Sequence, residues 1–287
     1  MMLMQAIKKA AYFLEKNTGQ SKEESKIEAD YIFTHILRIC KSKLYTQLNE
    51  EISETKFRKI NAILELRLKK PLSQILNEHP FYNDEFYVND KVLIPRPETE
   101  LFIDEILRQG DLLYKEKNRC VFLDAGTGSG CVGIAIANER SKWQVILSDI
   151  SIDALKVAKR NISLCKYNNV RLICSDWLKP FVSNSFDIIF SNPPYISIND
   201  LLVDKSVLAN EPSIALFSAE DGLKDIKKII RHAKKTLSRL GILFLENGLD
   251  QSLAVKSILE SEDFTDIRVH LDYNKCGRFT SSRNKNG

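Results

Sequence analysis

No stretch of this 287-residue chain reaches the ~18 uncharged apolar residues that cross a bilayer. The most apolar window, 120–138, is broken by Asp124 and a run of glycines. The first residues lack a charged head, an apolar core and a small-residue cleavage site, so no secretory signal and no membrane partner are expected. Cysteine is sparse and scattered: Cys40, Cys120, Cys131, Cys165, Cys174 and Cys276 include no CxxC pair. A chain this long needs no disulfides to hold a core, so reduced, mostly buried thiols in a cytoplasmic protein are expected. The four histidines, His35, His79, His232 and His270, stand alone, and no metal is expected. There is little excess charge. The net is +4, and all of it lies in residues 1–80, with 14 basic and 10 acidic side chains, against 28 of each in residues 81–287. That is poor support for a nucleic-acid footprint. It fits a solvated helix face or, more sharply, a surface for an acidic partner. With 44% apolar and 28% charged residues the chain is neither disordered nor fibrous, and its length suggests about two domains.

Residues 1–73 read as a small helical bundle. Leu3, Ala6, Ile7, Ala10, Ala11 and Leu14 share one helix face. Ser21 with Glu24 forms a capping-box signature before a second stripe, Ala29 to Leu37. Phe57 to Leu68 forms another, stopped by Pro71. The spacing carries no chemistry, so this domain is expected to recognise a substrate. Residues 74–95 read as a β-hairpin linker, with strand formers around Asn83-Asp84 and Asn89-Asp90. Pro95 and Pro97 then fix an extended stretch before a helix through Leu107.

Residues 96–287 alternate between strand and helix. Strands are expected at Cys120–Asp124, Gln144–Ser148, Val170–Cys174, Phe186–Ser191 and Ile242–Glu246, with helices starting near Gly130, Ile152, Gly222 and Gln251. Several strands are apolar without alternation, as in a parallel sheet covered on both faces. Phe264–Asp272 and Arg278–Ser282 add an antiparallel hairpin at one edge. The fold class is α/β, a doubly wound, Rossmann-like sheet.

Asp124-Ala125-Gly126-Thr127-Gly128-Ser129-Gly130 lies between the first strand and a helix, where backbone N–H groups and a helix N-terminus meet a ligand. Asp149 ends the next strand, placed to accept both hydroxyls of a ribose. Gly128, Gly130 and Gly133 also fit the dinucleotide GxGxxG pattern, two residues late relative to the strand end. Asp124 argues against a pyrophosphate and for a cationic ligand, and S-adenosylmethionine carries both an ammonium and a sulfonium group. After the third strand, Asp176 can accept from an adenine amino group and Trp177 offers a stacking face.

The fourth strand runs into Asn192-Pro193-Pro194-Tyr195. Neither proline can donate a hydrogen bond. The Asn192 carboxamide oxygen and the Pro193 carbonyl can then hold the two hydrogens of an –NH₂ group, with Tyr195 packed on a flat π-system. Such conjugated nitrogens are poor nucleophiles, and two acceptors align the nitrogen with a methyl donor and spread its developing charge.

With these residues the chain resembles the bacterial peptide chain release factor N5-glutamine methyltransferases, the PrmC/HemK family. The likeness spans nearly the whole chain. It rests on Val92-Leu93-Ile94-Pro95-Arg96-Pro97-Glu98-Thr99-Glu100, the glycine loop, Ser175-Asp176-Trp177, Asn192-Pro193-Pro194-Tyr195, Glu211-Pro212, Asp221-Gly222-Leu223 and the Asp272…Gly277-Arg278 ending. The resemblance implies a class I methyltransferase sheet behind a helical domain. It implies S-adenosyl-L-methionine as cofactor and S-adenosyl-L-homocysteine as product, and as substrate the glutamine of a Gly-Gly-Gln loop in class 1 release factors. It places the cofactor on Gly126, Thr127, Gly128, Ser129, Gly130, Asp149, Trp177 and Asn192, beside the Asp124 and Asp176 read above. It places the glutamine amide on Asn192, Pro193, Pro194 and Tyr195, with Asn192, Pro193 and Tyr195 expected to be catalytic. A monomer without nucleic acid is expected. Where the family usually has glycine, this chain has Asn77 and Asn83, residues that tolerate positive φ. Adenine-N6 methylation of nucleic acid, NAD-dependent oxidation and a non-enzymatic binding module are the competing readings.

Overall fold

The computed structural model describes residues 1–164, 168–200 and 203–285; Cys165 lies outside them. The chain divides into two compact units, Met1–Leu76 and Asn77–Gly287.

The first unit is all-helical: α1 (Leu3–Thr18), α2 (Lys22–Leu37), α3 (Lys41–Thr46), α4 (Glu54–Arg67) and α5 (Leu72–Leu76). The three apolar stripes seen in the sequence meet in one core, with Leu14, Ile32, Phe33, Leu44 and Ile60 fully buried. α2 starts on the expected capping box: the Ser21 N–H donates to Glu24 and the Glu24 N–H to the Ser21 hydroxyl. The short α3 and α5 were not separate in the periodicity.

The second unit opens with the hairpin β1 (His79–Phe81) and β2 (Asp84–Phe86). Asn77 has φ +54°, as its side chain permits, but in the hairpin turn the left-handed residue is Tyr82 at φ +57°, not Asn83. α6 (Pro97–Lys117) starts on its proline and runs ten residues past Leu107, ending in a left-handed Asn118. Then follow β3 (Val121–Ala125), α7 (Cys131–Glu139), β4 (Gln144–Asp149), α8 (Ile152–Leu164), β5 (Val170–Cys174) and β6 (Phe186–Ser191). Beyond β6 lie β7 (Ile196–Ser197), α9 (Lys205–Asn210), α10 (Ser213–Leu216), β8 (Phe217–Ser218), α11 (Lys224–Thr236), β9 (Leu237–Glu246), α12 (Ser252–Ser261), β10 (Phe264–Leu271) and β11 (Gly277–Asn284).

The main sheet has seven strands in the order β10-β11-β9-β6-β3-β4-β5, all parallel except β11. Strand order therefore reverses at β3, with β4 on one side and β6 on the other, which opens a crevice at their carboxyl ends. Alternate residues face opposite layers. Phe122, Ile188 and Phe190 pack with α6 and α7. Leu123, Ile189 and Leu243 pack with α11 and α12. The closing hairpin is present, with β11 inserted between β10 and β9. Of the described cysteines only Cys120 and Cys131 are buried. Cys40 and Cys174 are exposed and Cys276 is half-buried, which corrects the expectation of mostly buried thiols: Cys40 caps a surface helix, and Cys174 ends the sheet's edge strand.

The connector after the hairpin is seated on α8. Val88 and Val92 pack on Ala154 and Val157. Asn161, 1% exposed, accepts the Tyr87 N–H (2.7 Å) and donates to the Tyr87 carbonyl (3.0 Å) and the Ser129 carbonyl (2.8 Å). One side chain thus ties the connector to the glycine loop. Replacing it with alanine strands buried backbone groups, a loss of about 1–3 kcal/mol. Asn161→Ala should therefore lower the urea midpoint without changing the slope; an unchanged midpoint would show that water replaces these bonds.

Candidate active site

A cavity of about 250 Å³ opens at the carboxyl ends of β3, β4 and β6. Its walls are the connector 91–99, the glycine loop, the loops after β4, β5 and β6, and the segment 212–217. Asp124, Gly126, Thr127, Gly128, Ser129, Asp149, Asp176, Trp177, Asn192 and Pro194 all line it. Of the residues expected in the site, Gly130, Pro193 and Tyr195 do not.

The glycine loop is shaped by its own backbone bonds. Gly126 and Thr127 both donate to the Ser148 carbonyl (2.8 and 2.9 Å), and Gly130 donates to Thr127 (2.9 Å). Asp124, 2% exposed, accepts the Thr127 hydroxyl at 2.6 Å and the Gly133 N–H at 3.0 Å on the same Oδ2. Burial pushes its carboxyl up to about 6, against the pull of those two donors. Asp149 accepts Gly128 N–H on one oxygen (2.9 Å) and Ser151 N–H on the other (2.8 Å). Burial raises its pKa too, with the backbone donors opposing.

Trp177 has φ +50° and is anchored by its indole N–H on Asp225 (2.9 Å). Its ring lies on Gly126, where an added Cβ would stand 2.8 Å from Cζ3, so the loop needs glycine there. Asp176 is held by Lys228, whose ammonium reaches both carboxylate oxygens at 2.6 and 2.7 Å. An adenine amino group would have to share those oxygens.

At the end of β6, all six strand residues are buried and the Ser191 hydroxyl donates to the Ala125 carbonyl at 2.7 Å. Asn192 therefore enters the cavity from a fixed strand end. Its carboxamide makes no hydrogen bond to the described residues. Tyr195 turns away and reaches Glu246 with its hydroxyl.

Sequence reasoning missed several partners. Arg96 on the connector binds both oxygens of buried Glu211 at 2.8 and 2.9 Å, fastening the cavity wall at 212–217. Glu246 accepts the Thr99 hydroxyl at 2.7 Å, and burial lifts its carboxyl to about 7. Glu211-Pro212 was visible as a motif, but its partner lies 115 residues away.

A doubly wound sheet with this glycine loop, a carboxylate ending the second strand and Asn-Pro-Pro-Tyr ending the fourth defines a class I methyltransferase. A methyltransferase domain profile matches residues 116–271 and a PrmC N-terminal domain profile matches residues 5–76. A methyltransferase structure from Pyrococcus furiosus superposes with a TM-score of 0.52 at 18% identity, covering 79% of this chain and 99% of that one. The release factor glutamine methyltransferase of Thermodesulfovibrio yellowstonii is 39% identical over 247 residues, 85% of this chain and 88% of the relative. That of Francisella tularensis is 35% identical over 266 residues, 92% and 93%. The chain belongs to the release factor glutamine methyltransferase family.

Gly222 tests how tightly the loop after β6 is held. It has φ +82°, and a Cβ there would stand 1.9 Å from the Tyr195 carbonyl oxygen. Gly222→Ala must push that carbonyl away. A shift of ~1 Å in a positioning loop can cost roughly 10²-fold in rate. The expected result is a folded variant by circular dichroism with kcat down by that order; wild-type kcat would mean the loop yields without consequence.

Proposed function

We propose that this enzyme transfers a methyl group from S-adenosyl-L-methionine to the side-chain amide nitrogen (N5) of the glutamine in the Gly-Gly-Gln loop of class 1 peptide chain release factors. S-adenosyl-L-homocysteine is the other product. One juxtaposition carries the reading: the Asn192 carboxamide, free of protein partners among the described residues, stands with Pro194 in the same cavity as the glycine loop and Asp149.

When bound, S-adenosyl-L-methionine supplies a methyl group activated by its sulfonium. The chain's part is to hold and orient. The loop from Gly126 to Gly130 carries the cofactor's amino-acid end, with Asp124 beneath it as counter-charge. Each Asp149 oxygen accepts one N–H and keeps a lone pair for a ribose hydroxyl. Asp176 and Trp177 flank the base. We assign one amide hydrogen to the Asn192 oxygen, which lines the cavity, and the other to the Pro193 carbonyl, an acceptor carried over from the family resemblance although Pro193 is not in the cavity wall; together they would stabilise the nitrogen as positive charge develops. No base need act first, because an alkylated amide nitrogen is strongly acidic and releases its proton to water. The helical unit Met1–Leu76 serves partner recognition, the protein acts as a monomer in the cytoplasm, and no nucleic acid takes part. Membership of the release factor family favours glutamine over adenine as the acceptor.

The direct test is transfer of a labelled methyl group to a purified release factor, with peptide mapping of the label. Label on the Gly-Gly-Gln glutamine is expected; label only on nucleic acid would replace this reading with adenine methylation. Asn192→Ala should lower kcat by roughly 10²–10³-fold, as for loss of one preorganised hydrogen-bond partner, with a smaller change in cofactor affinity. Near-normal kcat would return Asn192 to a structural role.

Cofactor affinity should also depend on pH. The Asp124 carboxyl is raised to about 6, so below that pH it is protonated in the free enzyme. A cationic ligand favours the ionised form, and binding there must expel a proton. Affinity should be flat above pH ~7 and fall below pH 6, approaching tenfold per unit. Calorimetric titrations from pH 5 to 8 measure this. Asp124→Asn should flatten the profile; the same fall in that variant would point to another group.

A further inference from the structure

Tyr195 follows the acceptor residues directly, yet its ring is absent from the cavity wall. Four segments converge on it instead. Its ring packs with the core layer of α11 and α12. Its hydroxyl is 3.4 Å from Glu246 Oε1, and the Thr99 hydroxyl donates to Oε2 of the same carboxylate at 2.7 Å. Glu246 is 1% exposed at the end of β9, and Thr99 lies in the first turn of α6, where it lines the cavity. At the other end of the residue, Gln251 Nε2 donates to the Tyr195 carbonyl and to the Asp221 carbonyl, both at 2.9 Å. Gln251 Oε1 accepts the Gly248 N–H at 2.9 Å, so this carboxamide spends both ends on three loops. Gly222 closes the last side, with no room for a Cβ against the Tyr195 carbonyl.

We infer that Tyr195 is a pin and not a stacking surface, and that Glu246, Thr99 and Gln251 are positioning residues that set the Asn192–Pro194 acceptor edge through it. The inference rests on the proposed methyl transfer to a glutamine amide. Two prolines precede Tyr195, so the two backbone N–H groups that could fasten 193 and 194 to a neighbour do not exist. The edge must be located from its flanks. On the strand side the Ser191 hydroxyl binds the Ala125 carbonyl. On the other side the first residue with both a carbonyl tie and a side-chain tie is Tyr195. Fixing the hydroxyl and the carbonyl together sets the residue's orientation as well as its position. Whenever Glu246 is ionised it accepts only, so both hydroxyls then point into it and the phenol proton faces the protein and not the substrate. The pin also couples two walls, because Thr99 and Tyr195 share one carboxylate.

Tyr195→Phe separates a pin from a stacking surface, since it keeps the ring and loses only the hydroxyl. In the full chain, kcat on the release factor should fall by about ten- to fiftyfold, while KM and S-adenosyl-L-homocysteine affinity stay within about twofold. Glu246→Gln, which keeps one acceptor oxygen, should fall less. Tyr195→Phe/Glu246→Gln should lose clearly less than the two single losses combined, because both break the same Tyr195–Glu246 link. Hydrogen exchange gives a reading that needs no substrate: amides in peptides spanning 191–198 and 219–223 should exchange faster in both single variants, with the helical unit unchanged. Wild-type kcat or wild-type exchange in Tyr195→Phe, or losses that add in the double variant, would overturn the pin. If Glu246→Gln does not fold, the isosteric Tyr195→Phe decides alone. Should the wild type bind S-adenosyl-L-homocysteine but leave the release factor unmethylated, the substrate reading fails, and exchange still decides the pin.

Discussion

The cavity depends on one buried carboxylate at the end of β3. Asp124 is 2% exposed and is held by a hydroxyl and a backbone N–H that meet on a single oxygen. Burial alone would make this carboxylate very costly, and the two donors offset only part of that, which is why its pKa still sits near 6. The loop bends the way it does because Thr127 must bring its hydroxyl back to Asp124. The backbone of Gly126 and Thr127 then falls on Ser148, and that of Gly128 on Asp149. The ends of β3 and β4 and the start of α7 are fixed together by these few bonds. A carboxylate kept partly uncompensated is also what suits the site to the cationic cofactor proposed above.

The same device recurs behind Thr99, where Glu246 lies 1% exposed with its pKa near 7 and two hydroxyls as partners. Arg96 and Glu211 answer the problem differently, with a guanidinium nitrogen on both oxygens of a buried carboxylate. Its pKa is still raised by burial, with the arginine opposing. Asp124 binds its own loop and the start of α7, but the other two carboxylates join segments distant in sequence: Thr99 to Glu246 spans 147 residues and Arg96 to Glu211 spans 115. The cavity is therefore assembled by tertiary contacts between strand ends and loops, while the sheet supplies only the platform.

That division explains what could be read from the chain beforehand. The parallel strands were legible because strands buried on both faces are apolar throughout, and Phe186–Ser191 shows it in every residue. The glycine loop, Asp149 and Asn192 were legible because each sits at a strand end, a place set by local pattern. Asn161, Gln251 and Glu246 were not, because a polar residue's partner across 30 to 150 residues leaves no periodic trace. Tyr195 shows the limit most clearly. Its place in the motif was evident, but whether an aromatic ring faces a cavity or the core is decided by packing against α11 and α12. The hairpin turn is similar: Asn83 looked like the left-handed residue by propensity, and tertiary context gave that conformation to Tyr82. α6 outruns its expected end at Leu107 and passes through Gly110, which weakens a helix by about 1 kcal/mol but here seats Trp143, whose ring lies 2.0 Å from where a Cβ would be.

The chemistry of the acceptor edge follows from what prolines lack. Residues 193 and 194 have carbonyls and no N–H, so this stretch of backbone offers only acceptors. A primary amide or a ring-conjugated amino group brings two hydrogens on one nitrogen and can satisfy two acceptors at once. A hydroxyl brings one and leaves the other acceptor unpaired, at a cost of about 1–3 kcal/mol where water does not replace it. In the proposed transfer, an amide nitrogen gaining positive charge would hold its hydrogens more acidic and strengthen both bonds, so the edge would stabilise the transition state more than the ground state. This selectivity requires two acceptors held at a fixed separation. A loop without backbone donors cannot fasten itself, so on the proposed reaction the ties at Ser191 on one flank and Tyr195 on the other become part of the chemistry.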